Sequence, residues 1–186
     1  ALHGPFGEDG GVQRVLEAKG IPYTGSGPEA SRTAMDKLAT KRVFVRHSVP
    51  TTDYFAVSPD DSPDMVADEC RKLGFPVVCK PACSGSSLGI SVVRSEEDVP
   101  KALEEAARAE GTAFIEKYVS GREFTVGIVR GEPLPVVEIC PQQEFFDYHA
   151  KYQDDRTAYI TPVALIESVY RKMLDIARRA YGCLGC

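Results

Sequence analysis

Between Val77 and Gly89 the chain reads VVCKPACSGSSLG, an apolar strand-like segment that delivers one lysine into a small loop of glycines and serines. The β-branched segment GISVVR begins on the last glycine, so the loop joins two strands. In a P-loop the glycines precede the lysine, and the loop opens a helix whose N-terminal amides face the phosphate. Here the lysine comes first and no helix follows, and a dinucleotide-binding G-x-G-x-x-G turn fails on the same ground. Two readings stay open from these residues alone. One is a hairpin turn beside an exposed lysine; the other is a flap of backbone N–H groups and serine hydroxyls closing over phosphate.

The 186 residues are 43% hydrophobic and 26% charged, enough to bury one sizeable core or two small ones. Apolar runs are too short for a membrane span and no leader pattern is visible, so a cytoplasmic protein with no membrane partner is expected. A net charge of -5 argues against nucleic acid as a partner. The six cysteines read as reduced core thiols. Cys183-x-x-Cys186 has redox or zinc spacing, but zinc needs two more ligands and only His3, His47 and His149 are available, so a metal or redox protein is the weakest reading. The chain opens on alanine and stops in mid-pattern, and it is expected to be a piece of a longer protein.

Periodicity predicts alternating elements. A Gly-rich start leads to a helix from Val12 to Lys19, then a short strand at Ile21–Tyr23. Pro28 suits the first turn of a helix that runs to about His47. A strand at DYFAV, a helix from Met65 to Leu73 closed by Gly74, and a buried strand from Phe75 to Lys80 precede the loop. After GISVVR, a capping-box pattern at Ser95–Asp98 opens a helix to about Ala109. Three strands follow, TAFIEKYV, REFTVGIV and LPVVEIC, the last two joined by a hairpin at Arg130–Pro133. A long polar stretch, 141–161, reads as a functional loop. The final helix carries Ile166, Val169, Met173, Ile176 and Ala180 on one face and is expected to end at Gly182.

Six segments in order, HGPFGEDGGVQ (3–13), PYTGSG (22–27), MDKLATK (35–41), CKPACSGSSLG (79–89), IEKYVSGREFTV (115–126) and FFDYHAKY (145–152), resemble bacterial D-alanine–D-alanine ligases. The resemblance covers essentially the whole chain and implies an α+β ATP-grasp fold, here incomplete. Residues 1–26 would end the N-terminal domain, 27–121 would form the central ATP-binding domain, and 122–186 would begin the C-terminal domain with a mobile loop at 141–161. The implied activity is ATP-dependent ligation of two D-alanines through an acyl phosphate, for peptidoglycan precursors, in a bacterial cytoplasm and with magnesium on the nucleotide.

Residue by residue, the resemblance assigns Lys37 and Lys80 to the phosphates, and Gly85, Ser86 and Ser87 to the flap, with Ser86 also near the substrate. Glu116, Lys117, Tyr118 and Val119 match the strand and linker that hold adenine, and Glu123 matches the ribose carboxylate. Lys151 and Tyr152 match the mobile loop, lysine on the γ-phosphate and tyrosine near the substrate, and the tyrosine favours an amine nucleophile. Phe146 stands where the family often has tyrosine. His3 and Glu8 resemble residues lining the first substrate's pocket. The family's metal carboxylates and oxyanion arginine have no match in this chain, so it is expected to hold no metal ligands and to be inactive, or nearly so, alone. The full-length family is commonly a homodimer. A non-catalytic ATP-binding module and another ATP-grasp carboxylate–amine ligase stay open as alternatives.

Overall fold

The computed structural model describes residues 2–85, 89–108, 112–141 and 157–186. They form two compact units, one of Asp36–Leu38 with Thr51–Ser120, the other of Ala1–Met35, Ala39–Pro50 and Gly121–Cys186.

The unit holding the glycine-serine loop is built on a four-stranded antiparallel sheet. Its strands are β1 (Tyr54–Ala56), β2 (Val77–Pro81), β3 (Ser91–Val93) and β4 (Ala113–Lys117), in the order β1-β4-β2-β3. The strands that flank the loop, β2 and β3, are neighbours, with Val77 opposite Val93 and Cys79 opposite Ser91. One face of the sheet is covered by helices α4 (Pro63–Leu73) and α5 (Val99–Ala107). Val66, Ala67 and Cys70 of α4 and Val99, Ala102 and Ala106 of α5 pack there with Val77, Cys79, Val93 and Ile115. Alternation along the strand sends Phe114 to the opposite face, where it packs with Leu38, Ala82 and Tyr54. Helix α4 starts as its sequence prescribes: Ser62 Oγ accepts from the Met65 N–H at 3.3 Å, and Gly74 at φ 87° ends it. The capping box at Ser95 closes a single 3-10 turn, Glu96–Asp98, and the α-helix begins only at Val99.

In the other unit, helix α1 (Gly11–Ala18) is preceded by a loop that Asp9 holds, its carboxylate accepting from the Phe6 and Gly11 N–H groups at 2.9 Å each. Gly10, at φ 89°, is required: a Cβ there would lie 2.2 Å from the Pro28 carbonyl oxygen. The predicted strand at Ile21–Tyr23 does not form. The Ile21 N–H bonds back to the Leu16 carbonyl and the Tyr23 hydroxyl donates to Glu17 at 2.7 Å, so the segment closes on the end of α1. The helix expected from Pro28 to His47 is two, α2 (Pro28–Met35) and α3 (Lys37–Arg46). The Lys37 N–H leaves the helical ladder for the Ala82 carbonyl at 3.0 Å, while the Thr33 carbonyl it would have met accepts the Thr40 hydroxyl instead.

The segment REFTVGIV breaks into β5 (Glu123–Thr125) and β6 (Ile128–Val129), with the intervening Gly127 carbonyl accepting from Leu134. Strand β6 pairs with β7 (Glu132–Pro133) across Arg130 and Gly131, both at positive φ (53° and 82°), a type I′ hairpin turn. Strands β5, β8 (Val137–Cys140) and β9 (Ala158–Ile160) form a three-stranded sheet in that order. Strand β9 lies inside the stretch expected as the 141–161 loop, which is therefore shorter at its C-terminal side. Helix α6 (Glu167–Leu184) passes through Gly182 and ends at Gly185, φ 76°. Arg179 of α6 donates to the Ser48 carbonyl at 2.6 Å and the His47 carbonyl at 3.4 Å, the open end of α3. Of the six cysteines, all free, only Cys70 and Cys79 are buried, which corrects the expectation of core thiols for the other four. Among the described residues no helix is long and apolar enough to cross a membrane.

Candidate functional site

The register of the four-stranded sheet decides which side chains meet. Glu116 on β4 lies opposite Val78 on β2 and Tyr54 on β1, and Lys80 lies opposite Phe114. Residues two apart on a strand share a face, so Lys80 and Glu116 stand diagonally on the face away from α4 and α5. Their side chains form an ion pair, Lys80 Nζ donating to Glu116 Oε1, with 22% and 12% of the side chains exposed. The second carboxylate oxygen, Oε2, accepts from the Thr52 hydroxyl at 2.7 Å. Such a partly buried pair persists only when the remaining lone pairs find donors, which Thr52 supplies.

The other cation, Lys37, comes from the first turn of α3. Its Nζ donates to the carbonyls of Pro81 (3.4 Å), Ala82 (3.3 Å) and Ser84, the stem of the glycine-serine loop. Two ammonium groups thus stand at the root of the loop, one on the strand that enters it and one threaded against its carbonyls. Among the described residues nothing lies within 4 Å of a Cβ built on Gly85. Ser86 and Ser87 lie outside the described residues.

Beyond β4 the linker leaves the sheet. The Lys117 N–H is taken by the Asp53 carbonyl at 3.0 Å and the Tyr118 N–H by the Pro76 carbonyl at 3.3 Å. Val119 follows, 70% exposed, its N–H without an acceptor among the described residues. An edge that offers an N–H beside a carboxylate–ammonium pair has the donor and acceptor chemistry for a nucleotide base and its phosphates.

The remaining sequence-predicted residues belong to the other unit or lie outside the described residues. Glu123 opens β5 in the other unit, exposed and opposite Ile139. His3 and Glu8 are exposed, and Glu8 Oε2 accepts from the Gly4 N–H at 2.7 Å, so it ties its own loop. Lys151, Tyr152 and Phe146 lie outside the described residues. Among the described residues no group of three or more His, Cys, Asp or Glu side chains could hold a metal ion, so they do not fit magnesium by themselves. The Cys183 thiol donates to the Ala180 carbonyl at 3.3 Å, and burial pushes its pKa up, the reverse of an activated redox thiol. Thr52 escaped the sequence reading because it stands between the helix stop at Pro50 and the strand segment DYFAV, outside both signals.

The family profile described as "D-ala D-ala ligase C-terminus" matches residues 43–186. A D-alanine--D-alanine ligase of Syntrophotalea carbinolica is 41% identical over 187 residues, covering 100% of this chain and 59% of that protein. One from a Synechococcus species is 43% identical, covering 100% of this chain and 57% of its own length. The crystal structure of D-alanine--D-alanine ligase from Bacillus anthracis superposes with a TM-score of 0.86 at 36% identity, covering 100% of this chain and 60% of the other. The same organism's ligase complexed with ATP gives 0.84 at 31% identity, covering 100% of this chain and 58% of the other. These matches carry the ATP-grasp fold in its α+β form. The chain spans under three-fifths of the length of these curated relatives.

Proposed function

The chain belongs to the D-alanine–D-alanine ligase family, and on that premise we propose that it serves the ATP-dependent joining of two D-alanines into D-alanyl-D-alanine for peptidoglycan precursors. The observation that carries the reading is the placement of Lys80, paired with Glu116, and Lys37, bound to the stem carbonyls, at the root of one glycine-serine loop. In the proposed reaction a D-alanine carboxylate oxygen attacks the γ-phosphorus of ATP, ADP leaves, and an acyl phosphate forms. The amine of a second D-alanine then attacks that acyl carbon, and phosphate and a proton depart. Lys37 and Lys80 spread the charge of the phosphates, which is most of what a protein can contribute to phosphoryl transfer.

Gly85, Ser86 and Ser87 cover the phosphates in this reading. Glu116, Lys117, Tyr118 and Val119 hold adenine, Val119 through its backbone N–H, and Glu123 takes the ribose hydroxyls. Lys151 and Tyr152 close over the site and exclude water from the acyl phosphate, while His3 and Glu8 line the first substrate's pocket. The division at 26 and 121 into three domains, a cytoplasmic site of action, and a homodimeric whole protein belong to the same proposal. Magnesium, for which the described residues offer no ligand set of their own, would supply charge neutralisation to the nucleotide.

Titration of the chain with ATP tests the reading. Lys80→Met should weaken binding by roughly ten- to a hundredfold, as loss of a charged hydrogen bond to phosphate costs roughly 1.5–3 kcal/mol. Failure of the unaltered chain to bind ATP at all would sink the reading.

A further inference from the structure

Glu116 is a long side chain whose terminal torsion has no strong preferred value, so a partner on one oxygen leaves the carboxylate free to swing. Two donors on different oxygens remove that freedom. Lys80 holds Oε1 and the Thr52 hydroxyl holds Oε2 at 2.7 Å. Lys80 ends in a point charge on a flexible four-carbon stem, and it goes where its counter-charge stands. Thr52, by contrast, is β-branched and stiff at χ1, and the Lys117 N–H bond to the neighbouring Asp53 carbonyl ties its segment to β4. The rigid member of the triad is therefore the threonine, and the mobile one is the lysine.

We propose that Thr52 is a positioning residue for nucleotide: its hydroxyl fixes the Glu116 carboxylate, and through it sets the Lys80 ammonium at the mouth of the glycine-serine loop. This rests on the nucleotide-site reading above and adds to it a residue that no segment of the resemblance contains. Removing the hydroxyl takes one donor from a carboxylate with only 12% of its side chain exposed, so Glu116 turns and carries Lys80 with it.

The test is ATP titration of the chain carrying Thr52→Val, which keeps the shape and removes the hydroxyl, Thr52→Ser, which keeps the hydroxyl, and each change again in a Lys80→Met background. Thr52→Val should weaken ATP binding about tenfold, the size of one lost hydrogen bond to a charged group, and Thr52→Ser should restore it to within about twofold of the unaltered chain. In the Lys80→Met background Thr52→Val should add nothing, because its effect runs through the lysine. A structural role alone would lower the melting temperature and leave the affinity of the folded protein unchanged. Equal affinity of Thr52→Val and the unaltered chain, or additive losses in the double variant, overturns the inference while leaving the nucleotide site standing. Absence of ATP binding by the unaltered chain overturns both. Should Thr52→Val fail to fold, Thr52→Ala gives the same comparison.

Discussion

Two of the six thiols are locked by their surroundings, and the difference is measurable residue by residue. Burial pushes the Cys70 thiol up to about 11 and the Cys79 thiol to about 12, and Cys79 further donates to the Ala102 carbonyl at 3.6 Å. Since the thiolate is the reacting species, neither is present in reactive form near neutrality. Cys83, exposed in the loop stem, is also shifted upward, by burial first and then by Asp36, with Lys37 opposing. Alkylation with iodoacetamide at pH 7.5, read by peptide mass, should therefore label Cys83 well before Cys70 and Cys79, which should react only on unfolding. Early labelling of Cys79 would mean that the α5 face of the sheet opens in the native state. At the candidate site the same residue-level logic applies: Lys80 and Glu116 were legible as a pair of family positions, but their direct contact depends on strand register, which no single residue announces.

At the scale of elements, local signals with a mechanism were read well. Gly74 closes α4, Pro28 opens α2, and Arg130–Pro133 turns a hairpin, each because the residue types leave the backbone few alternatives, although α4 starts at Pro63 on the Ser62 cap, two residues before the expected Met65. What escaped were elements decided by distant partners. The break between α2 and α3 exists because Ala82, far along the chain, takes the Lys37 N–H, and β9 is a strand because β8 offers it an edge, with Glu138 opposite Ile160. Neither partner is visible in a window of local periodicity. The hairpin turn also carries a correctable strain: Arg130 occupies φ 53°, where an arginine Cβ is disfavoured and asparagine is tolerated. Arg130→Asn should raise stability by roughly 0.5–1 kcal/mol, a fraction of the cost of a non-glycine residue in that region. Thermal denaturation checks it, and a lowered midpoint would show that the Arg130 side chain contributes more than its backbone costs.

For the molecule as a whole, part of the stability should be acid-sensitive through the ion pairs of the unit that holds β5 and β8. The unit of the glycine-serine loop rests on an apolar core around Val77, Val93 and Ile115. In the other, β5 and β8 are joined by a two-pronged ion pair, Arg122 Nε to Glu138 Oε1 and Nη2 to Oε2, both at 2.6 Å, with the guanidinium also on the Ala164 carbonyl and over the Phe124 ring. The hydrogen bonds from Arg122 hold the Glu138 carboxyl below its usual range, against the opposing effect of burial. Its folded pKa is thus lower than its unfolded one, so the pair's contribution is fully present above about pH 4.5 and is lost as pH falls through the lower folded value. Asp9 and Glu29 of the same unit are depressed too, through the Phe6 N–H and Arg32 first, and they steepen the same slope. Denaturant unfolding followed between pH 7 and pH 3 should show stability falling below about pH 4.5. Glu138→Gln should be less stable at pH 7 yet lose less on acidification, because the group that titrates is gone. An unchanged acid slope in that variant would place the pH sensitivity with the other carboxylates and leave the Arg122 pair as a packing contact rather than a source of acid lability.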